Sequence, residues 1–258
     1  MKTFEFDNTK IHYRVSGNGD PVLFLHGFLE NHSMWNSIAP EIAALGFRVY
    51  QIDLPCHGKS RYKGEICSMT HMANILHQLC ISENIENANV FGHSMGGYVG
   101  LELLKLRPIK LTLVHSNFWN DPHEKKKDRD RVVSIVRENK FRLINEAIPN
   151  LFATENREEC ESSITELIKA AGLLPANEII ATTRGMRDRD DNSALLKHNS
   201  ISIIQGDSDQ IVKTEKLNEE LKKSAIHPEV YHIKKCGHMS IWECPEELIN
   251  CLKLIVFK

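Results

Sequence analysis

Three residue types that together perform acyl transfer occur far apart in this sequence. Ser94 lies in the segment FGHSMGG, Asp209 in GDSD and His238 in CGH. A serine hydroxyl is a weak nucleophile, so it needs a neighbouring base, and an imidazole base needs a carboxylate that fixes its tautomer. The three residues therefore predict attack of a serine on a carbonyl carbon.

The surroundings of Ser94 favour this interpretation over that of an ordinary turn residue. Gly92 and Gly96 lie two positions on either side of it, where an apolar run meets a helical pattern. A GxSxG segment at such a strand-to-helix junction forces the serine into a strained backbone conformation and exposes its hydroxyl. The amide groups at the start of the following helix would point at an anion formed there.

The apolar periodicity predicts strands that alternate with helices. An edge hairpin is expected at residues 3–6 and 11–15, and central strands at 22–25, 48–52, 88–91, 111–114, 200–204 and 229–233. Helices are expected at 35–45, 69–81, 97–106, 213–224 and 245–256. This alternation is typical of the α/β class, with a mostly parallel twisted sheet flanked by helices.

The strand pattern stops in the middle of the chain. Four consecutive helices are expected there, at 124–139, 141–152, 157–171 and 176–187. We therefore predict a core domain formed by residues 1–116 and 192–258, with a helical insertion at 117–191. The mixed charges of the run from Glu124 to Arg131 indicate a solvated helix face rather than a docking patch.

Two predicted strands end next to candidate acids and bases. The carboxyl ends of the strands form the functional edge of an open α/β sheet. Asp209 follows the strand at 200–204, and His238 follows the strand at 229–233. Asp207 lies closer to the strand, but we interpret it as a capping or turn residue.

The chain has 13 histidines, so the assignment of the base needs a choice. His57 and His115 are among the competitors. We interpret His26 as an organiser of its loop, and His93 as a neighbour of the site that cannot reach the adjacent serine as its base. His238 is the histidine for which both position and order fit.

In five ordered motifs the sequence resembles the α/β-hydrolase fold superfamily, over nearly the whole chain outside the insertion. The segment HGF at 26–28 looks like the family's oxyanion loop, and DLPCHGKS at 53–60 looks like its DLPGHGxS loop. GHSMGG resembles the nucleophile elbow, GDSD the acid turn, and GH the histidine loop. Cys56 stands where the family usually has glycine, which affects only the expected local loop shape.

The resemblance implies a capped serine hydrolase similar to the carboxylesterases. It implies that the insertion covers the pocket and that the backbone NH groups of Phe28 and Met95 form an oxyanion hole. Some relatives place the acid directly after the strand that precedes the cap. This chain differs from them, because no carboxylate follows the strand at 111–114 until Asp121. Haloalkane dehalogenases and epoxide hydrolases carry an aspartate at the position of Ser94, so their reactions are disfavoured.

The leading hypothesis is a cofactor-free serine hydrolase that cleaves a small or medium acyl ester. A thioesterase, a lactonase or a carbon–carbon bond hydrolase would use the same residues. A hydrolase-like protein that binds a ligand with little turnover is a further alternative. Phe118, Trp119 and Phe152 are candidates to line the acyl pocket, although their spacing also fits ordinary core packing.

The composition restricts the partners. Hydrophobic residues make up 41% and charged residues 26%, and the formal net charge of −2 would not attract polyanions, so no nucleic-acid partner is expected. No segment is long enough to span a membrane, and the N-terminal segment lacks the apolar core of a signal peptide. Seven scattered cysteines without a CxxC pair predict reduced thiols in a cytoplasmic protein and no metal site. The expected partner is a small-molecule acyl substrate.

Overall fold

A computed structural model describes residues 1–197, 200–224 and 227–258 and contains one eight-stranded sheet. Its strands are β1 (Lys2–Phe6), β2 (Thr9–Ser16), β3 (Pro21–Leu25), β4 (Arg48–Asp53), β5 (Asn89–His93), β6 (Lys110–Val114), β7 (Ile201–Gly206) and β8 (Glu229–Ile233). Each predicted strand is present, with ends that differ by one or two residues. The α/β fold class is therefore confirmed.

The helices lie between these strands. They are α1 (Ala39–Ala44), α2 (Met69–Ser82), α3 (Met95–Leu106), α4 (His123–Ala147), α5 (Glu161–Gly172), α6 (Ala176–Arg187), α7 (Thr214–Leu221), α8 (Ser240–Glu243) and α9 (Pro245–Val256). The helix expected from residue 35 begins later, because Pro40 lacks the NH group that a longer helix would need there. A separate 3-10 turn covers His32–Trp35.

The strand order is β1-β2-β4-β3-β5-β6-β7-β8. At one side of the sheet β2 pairs antiparallel with both β1 and β4, and the pairings from β4 to β8 are parallel. The chain passes from β3 to β4 on one side and then to β5 on the other, so the direction of winding changes between β3 and β5. Ligands bind at such a switch point in open α/β sheets, and Phe28 and Ser94 follow these two strands.

Apolar side chains cover both faces of the sheet. One core cluster includes Met72 and Leu76 of α2 with Leu101 of α3, and the other includes Ile42 of α1 and Leu248 of α9. The central strands β3 and β5 are almost fully buried, which is typical of parallel strands with helices on both sides. The core thus fixes the carboxyl ends of these strands against each other.

The segment between β6 and β7 is helical, as the sequence predicts. Inside α4, Asn139 has non-helical dihedral angles (φ −159°, ψ 102°), and its side chain accepts a hydrogen bond from the amide of Phe141. This break agrees with the two separate helices expected at 124–139 and 141–152. An apolar cluster that includes Ile144 and Leu167 holds the insertion together.

Helix α6 attaches the insertion to the sheet domain at close range. The amide of Cys67 donates to the carbonyl of Ala181 at 3.0 Å, and Arg61 pairs with Glu178 at 3.1 Å. A Cβ atom at Gly185 would lie 1.9 Å from the carbonyl oxygen of Cys67. Only glycine therefore permits this approach of the two backbones. Within the described residues, no helix combines the length and apolar character that crossing a membrane requires.

Replacing Gly185 with alanine should destabilise the protein by about 1–3 kcal/mol, because a backbone carbonyl has to move away. Urea unfolding followed by circular dichroism measures this change. Gly172→Ala is the matched control, since its Cβ would meet only a ring carbon of the half-exposed Phe141, at 3.1 Å. The control should stay within about 0.5 kcal/mol of the parent. Equal effects of the two substitutions would contradict the close contact.

Candidate active site

Ser94 occupies the sharp turn between β5 and α3. Its dihedral angles (φ 49°, ψ −113°) are strained for a residue with a side chain, and its amide donates to the carbonyl of Val114 at 2.9 Å. A Cβ at Gly92 would lie 2.5 Å from the carbonyl oxygen of Gly96, and one at Gly96 would lie 2.5 Å from that of Leu25. The two glycines therefore permit the close packing that this turn requires.

Two backbone amides near Ser94 are open to an acceptor. Met95 is the first residue of α3, where amides lack an acceptor within the helix. The amide of Phe28, in the loop after β3, makes no hydrogen bond within the described part of the chain. Together they offer two donors at the switch point of the sheet, as an oxyanion hole requires.

His238 and Asp209 form a buried hydrogen-bonded pair. The ring Nδ1–H of His238 donates to Oδ2 of Asp209 at 2.8 Å, while Oδ1 of the same carboxylate accepts from the amides of Ile211 and Val212. Burial alone would raise the pKa of Asp209, but its electrostatic interaction and hydrogen bond with His238, together with the nearby ring of His115, hold it well below its ordinary value. The carboxylate therefore stays ionised and fixes the imidazole so that Nε2 remains free.

The backbone of His238 is also held from both sides. Its amide donates to the carbonyl of Leu151, which belongs to the helical insertion, at 2.9 Å. Its carbonyl accepts from Nε2 of His93 at 2.8 Å. The histidine loop is thus tied at once to the insertion and to the residue directly before Ser94.

His93 has a buried carboxylate partner. Its Nδ1 donates to Oε2 of Glu30 at 3.1 Å, and the same oxygen accepts from the amide of Gly27. Burial alone would lower the pKa of His93, but the charge of Glu30 and their hydrogen bond raise it overall. Burial alone would raise the pKa of Glu30, but the charge of His93 and the hydrogen bonds from His93 and Gly27 together lower it. His93 is therefore an imidazolium that donates from both ring nitrogens.

The other candidate histidines are engaged elsewhere. His26 accepts from the amide of Leu54 and donates to the carbonyl of Gly27, which confirms its interpretation as a loop organiser. Burial lowers the pKa of His57 to about 3. His115 follows β6, and its Nε2 bonds to Ser240 at 2.7 Å. Of these histidines, only His93 and His238 line the cavity described next.

Ser94 and His238 line one cavity of about 440 Å³ between the sheet and the insertion. This volume lies within the range of small-molecule sites. Within the described residues the serine hydroxyl makes no hydrogen bond to the His238 ring. Such bonds are often long in unliganded enzymes and tighten only when substrate is bound. The cavity therefore places a hydroxyl and a carboxylate-oriented imidazole in a common space.

The three aromatic residues predicted to line the pocket have different positions. Trp119 lines the cavity. Phe118 is buried in the core of the sheet domain and Phe152 in the apolar cluster of the insertion, and neither is among the cavity's lining residues. Phe118 and Phe152 therefore serve core packing. The apolar wall is formed instead by residues that include Leu143, Ile148, Leu151, Met186 and Val212.

One cluster of side chains has the spacing of a metal site. Single atoms of His115, Asp209 and His238 lie within 4.8 Å of one another. Nδ1 of His115 is 3.5 Å from Oδ2 of Asp209, and the direct hydrogen bond between Asp209 and His238 occupies the same oxygen. The donor set is therefore arranged to orient an imidazole rather than to surround a cation.

Comparison with known proteins gives a consistent result. A family model described as the alpha/beta hydrolase fold matches residues 20–133. The chain is 24% identical over 249 residues to the AB hydrolase superfamily protein YisY of Bacillus subtilis, an alignment that covers 92% of this chain and 91% of that protein. The chain has the α/β-hydrolase fold.

The solved structures of two esterases align over nearly the whole chain. A thermophilic esterase from Thermogutta terrifontis has a TM-score of 0.89 and 25% identity, covering 99% of this chain and 96% of that one. An esterase from Exiguobacterium antarcticum has a TM-score of 0.88 and 21% identity, covering 98% and 97%. These similarities support a hydrolase.

Several residues of this α/β-hydrolase site were missed by the sequence analysis. Glu30 carries no motif of its own, and its role follows only from the contact with His93. Arg129 lies in the mixed-charge run that we interpreted as fully solvated, yet it lines the cavity. Lys125, one turn earlier, lines it as well. The signal that could have found them is the spacing of 125, 129 and 132, which places three side chains on one helix face.

Glu30→Gln should destabilise the protein by about 1–3 kcal/mol, because His93 loses a buried charged partner. Because folding raises the pKa of His93 above its ordinary value of 6.5, charged His93 stabilises the fold at pH values below 6.5. This contribution is lost as the pH rises through the raised pKa. Because folding lowers the pKa of Glu30 below its ordinary value of 4.5, ionised Glu30 stabilises the fold at pH values above 4.5. This contribution is lost as the pH falls through the lowered pKa. The difference from wild type should therefore be largest between these two values.

Urea unfolding across a pH series measures this difference. Glu124→Gln is the control, since Glu124 is exposed and, among the described ion pairs, contacts the exposed Lys127 alone. Its effect should be within about 0.5 kcal/mol at every pH. A destabilisation by Glu30→Gln that does not vary with pH would show that the pair is not ionised.

Proposed function

We propose that this protein is a serine hydrolase that cleaves a small or medium carboxylic ester, as carboxylesterases do. The observation that carries the proposal is the 2.8 Å hydrogen bond between Asp209 and His238, a histidine that lines the same cavity as Ser94. A nucleophile, a base and a group that orients the base are the parts needed for acyl transfer. Five ordered sequence motifs support the same assignment.

In the first half of the reaction, Nε2 of His238 takes the proton of the Ser94 hydroxyl as its oxygen attacks the ester carbonyl carbon. The imidazolium that forms is stabilised by Asp209, which remains ionised throughout. When the tetrahedral intermediate collapses, the bond to the alcohol oxygen breaks. That oxygen receives the proton from His238, and the acyl group stays on Ser94.

In the second half, water replaces the alcohol. His238 removes a proton from the water as its oxygen attacks the acyl carbon, and the bond to Ser94 then breaks. The proton returns to the serine oxygen and the free acid leaves. No cofactor enters either step.

The amides of Phe28 and Met95 are assigned to the developing oxyanion. Both tetrahedral intermediates carry a negative charge on the former carbonyl oxygen. Two fixed amide donors stabilise that charge without reorganisation, and each such donor is typically worth about 2.7–4 kcal/mol in the transition state. The position of Met95 at the start of α3 adds the favourable end of the helix dipole.

Ser94→Ala should leave the fold intact and lower kcat for p-nitrophenyl butyrate by at least about a thousandfold, because the nucleophile is absent. The release of p-nitrophenol measures the rate, and thermal unfolding tests whether the fold is intact. A fluorophosphonate should add one adduct to the native wild-type protein at Ser94, and none to the variant or to heat-denatured protein. Intact mass and peptide mapping report the adduct.

Two outcomes would overturn the proposal. Retained turnover in Ser94→Ala removes the serine from the mechanism. Absence of the adduct, together with no turnover of esters, thioesters or lactones, favours a binding protein with the fold of a hydrolase. Turnover of thioesters or lactones in preference to simple esters would keep the triad and change the substrate class.

Asp209→Asn should lower kcat by about 10³–10⁴-fold, since the imidazole loses the carboxylate that sets its tautomer. Asp207→Asn is the matched control, because Asp207 is half-exposed and pairs with the half-exposed His232. The control should keep kcat within about threefold. Steady-state kinetics of both variants make the comparison, and a larger loss in Asp207→Asn would assign the orienting acid to the wrong residue.

A further inference from the structure

The cavity carries more positive than negative charge, although the whole chain has a net charge of −2. Its basic lining residues are Lys125, Arg129, Arg189, Lys213 and Lys216, and its acidic lining residues are Glu30 and Asp121. Glu30 is neutralised by His93, as described above. Lys216 is paired with Glu220 at 2.7 Å. The charge balance of the cavity therefore depends on Asp121 and the four remaining cations.

Asp121 is shared between two arginines. Arg129 approaches one carboxylate oxygen at 3.0 Å and Arg189 the other at 2.8 Å. Only 5% of the Asp121 side chain and 4% of the Arg189 side chain are exposed. One buried carboxylate thus faces two guanidinium groups, and one positive charge is left uncompensated in this part of the cavity wall.

Arg189 uses its hydrogen-bonding capacity to join the two ends of the insertion to each other. Its terminal nitrogens donate to the carbonyls of Met186 and Trp119, and its guanidinium lies 4.1 Å from the ring centre of Tyr98. Its Nε is buried and has no hydrogen-bond partner among the residues that the structure describes. Arg189 is therefore mainly structural, and it anchors Asp121 beside Arg129.

Arg129 is different, because its free end is available to a ligand. Its Nε donates to Asp121, while its two terminal nitrogens make no hydrogen bond within the described part of the chain. A guanidinium fixed at one edge presents the other as a planar fork of donors. That geometry matches a carboxylate, which can accept two parallel hydrogen bonds.

Two lysines extend the positive region. Lys125 lies one turn before Arg129 on α4, and Lys213 lies in the loop before α7. Both are exposed and have no carboxylate partner among the described ion pairs. Charges of one sign around a cleft raise the local concentration of oppositely charged ligands. The rest of the lining, including Val132 one turn after Arg129, is mostly apolar.

From these contacts we infer that the site selects esters that carry a carboxylate at the end of an apolar chain, remote from the bond that is cleaved. Arg129 binds the carboxylate, and Lys125 and Lys213 attract it. The apolar wall accommodates the chain between the two ends. This inference rests on the proposed function, because the second end of the ligand is the ester carbonyl at Ser94.

The test uses p-nitrophenyl monoesters of adipic, pimelic and suberic acids, whose chains are long enough to limit attack by their own carboxylate. Each is compared with the same compound after methylation of the distal carboxyl group. Release of p-nitrophenol gives kcat/KM for the anionic and the neutral ester. For at least one chain length, wild-type protein should prefer the anionic ester by about 10- to 100-fold, the strength expected of a charged bidentate contact.

Arg129→Gln should remove this preference, because kcat/KM for the anionic ester falls much more than kcat/KM for the neutral ester. Arg131→Gln is the matched control on the same helix, since Arg131 is 73% exposed, pairs with Asp128 and does not line the cavity. It should retain the preference. The double variant Lys125→Gln/Lys213→Gln should reduce both the preference and its dependence on salt concentration. This second variant decides the question if Arg129→Gln fails to fold.

The outcomes separate the two levels of the account. If no ester is turned over in a Ser94-dependent manner, the proposed function fails. If turnover depends on Ser94 but the wild-type ratio stays near one at all three chain lengths, only the inference about anionic esters fails. A preference that survives in both Arg129→Gln and the double lysine variant would also overturn it.

Discussion

The left-handed turn at Ser94 is the constraint on which the rest of the site depends. A residue with a side chain is strained at φ 49°, and the turn persists because the surrounding backbone fixes it from several directions. The carbonyl of Ser94 accepts from Ser116, its amide donates to Val114, and the glycines at 92 and 96 let the helix approach the sheet. The hydroxyl is thereby directed to the switch point of the sheet.

The same turn sends the preceding side chain the other way. His93 points toward Glu30 and the carbonyl of His238, so that one dipeptide supplies both the candidate nucleophile and a support for the loop of its base. Two buried carboxylates beside Ser94 are each hydrogen-bonded to a histidine, and each pair links two loops. The pair of Asp209 and His238 links the ends of β7 and β8, and the pair of Glu30 and His93 links the ends of β3 and β5. Breaking either pair leaves a buried polar group without its partner, which is costly.

Much of this arrangement follows from the sequence. Ser94, Asp209 and His238 could be selected because motifs with fixed local spacing carry them, and the strands before them have unmistakable apolar runs. Glu30 could not be selected in this way, because its partner His93 lies 63 positions away and no local motif connects the two residues. Arg129 could not be identified as a cavity residue for a related reason. Charge patterning identifies a polar helix, but whether one of its faces meets solvent or a cavity depends on how the helix packs. The positions of Phe118 and Phe152 show the reverse case, in which aromatic residues near the site serve the core.

A crystal structure of the protein after reaction with a fluorophosphonate tests the central claim most directly. The account predicts phosphorus bonded to the oxygen of Ser94, with a phosphoryl oxygen about 2.7–3.1 Å from the amide nitrogens of both Phe28 and Met95. It also predicts Nε2 of His238 within hydrogen-bonding distance of the adduct while Nδ1 remains bonded to Asp209. An adduct on another residue, or an imidazole turned away from Ser94 in the adduct, would contradict it.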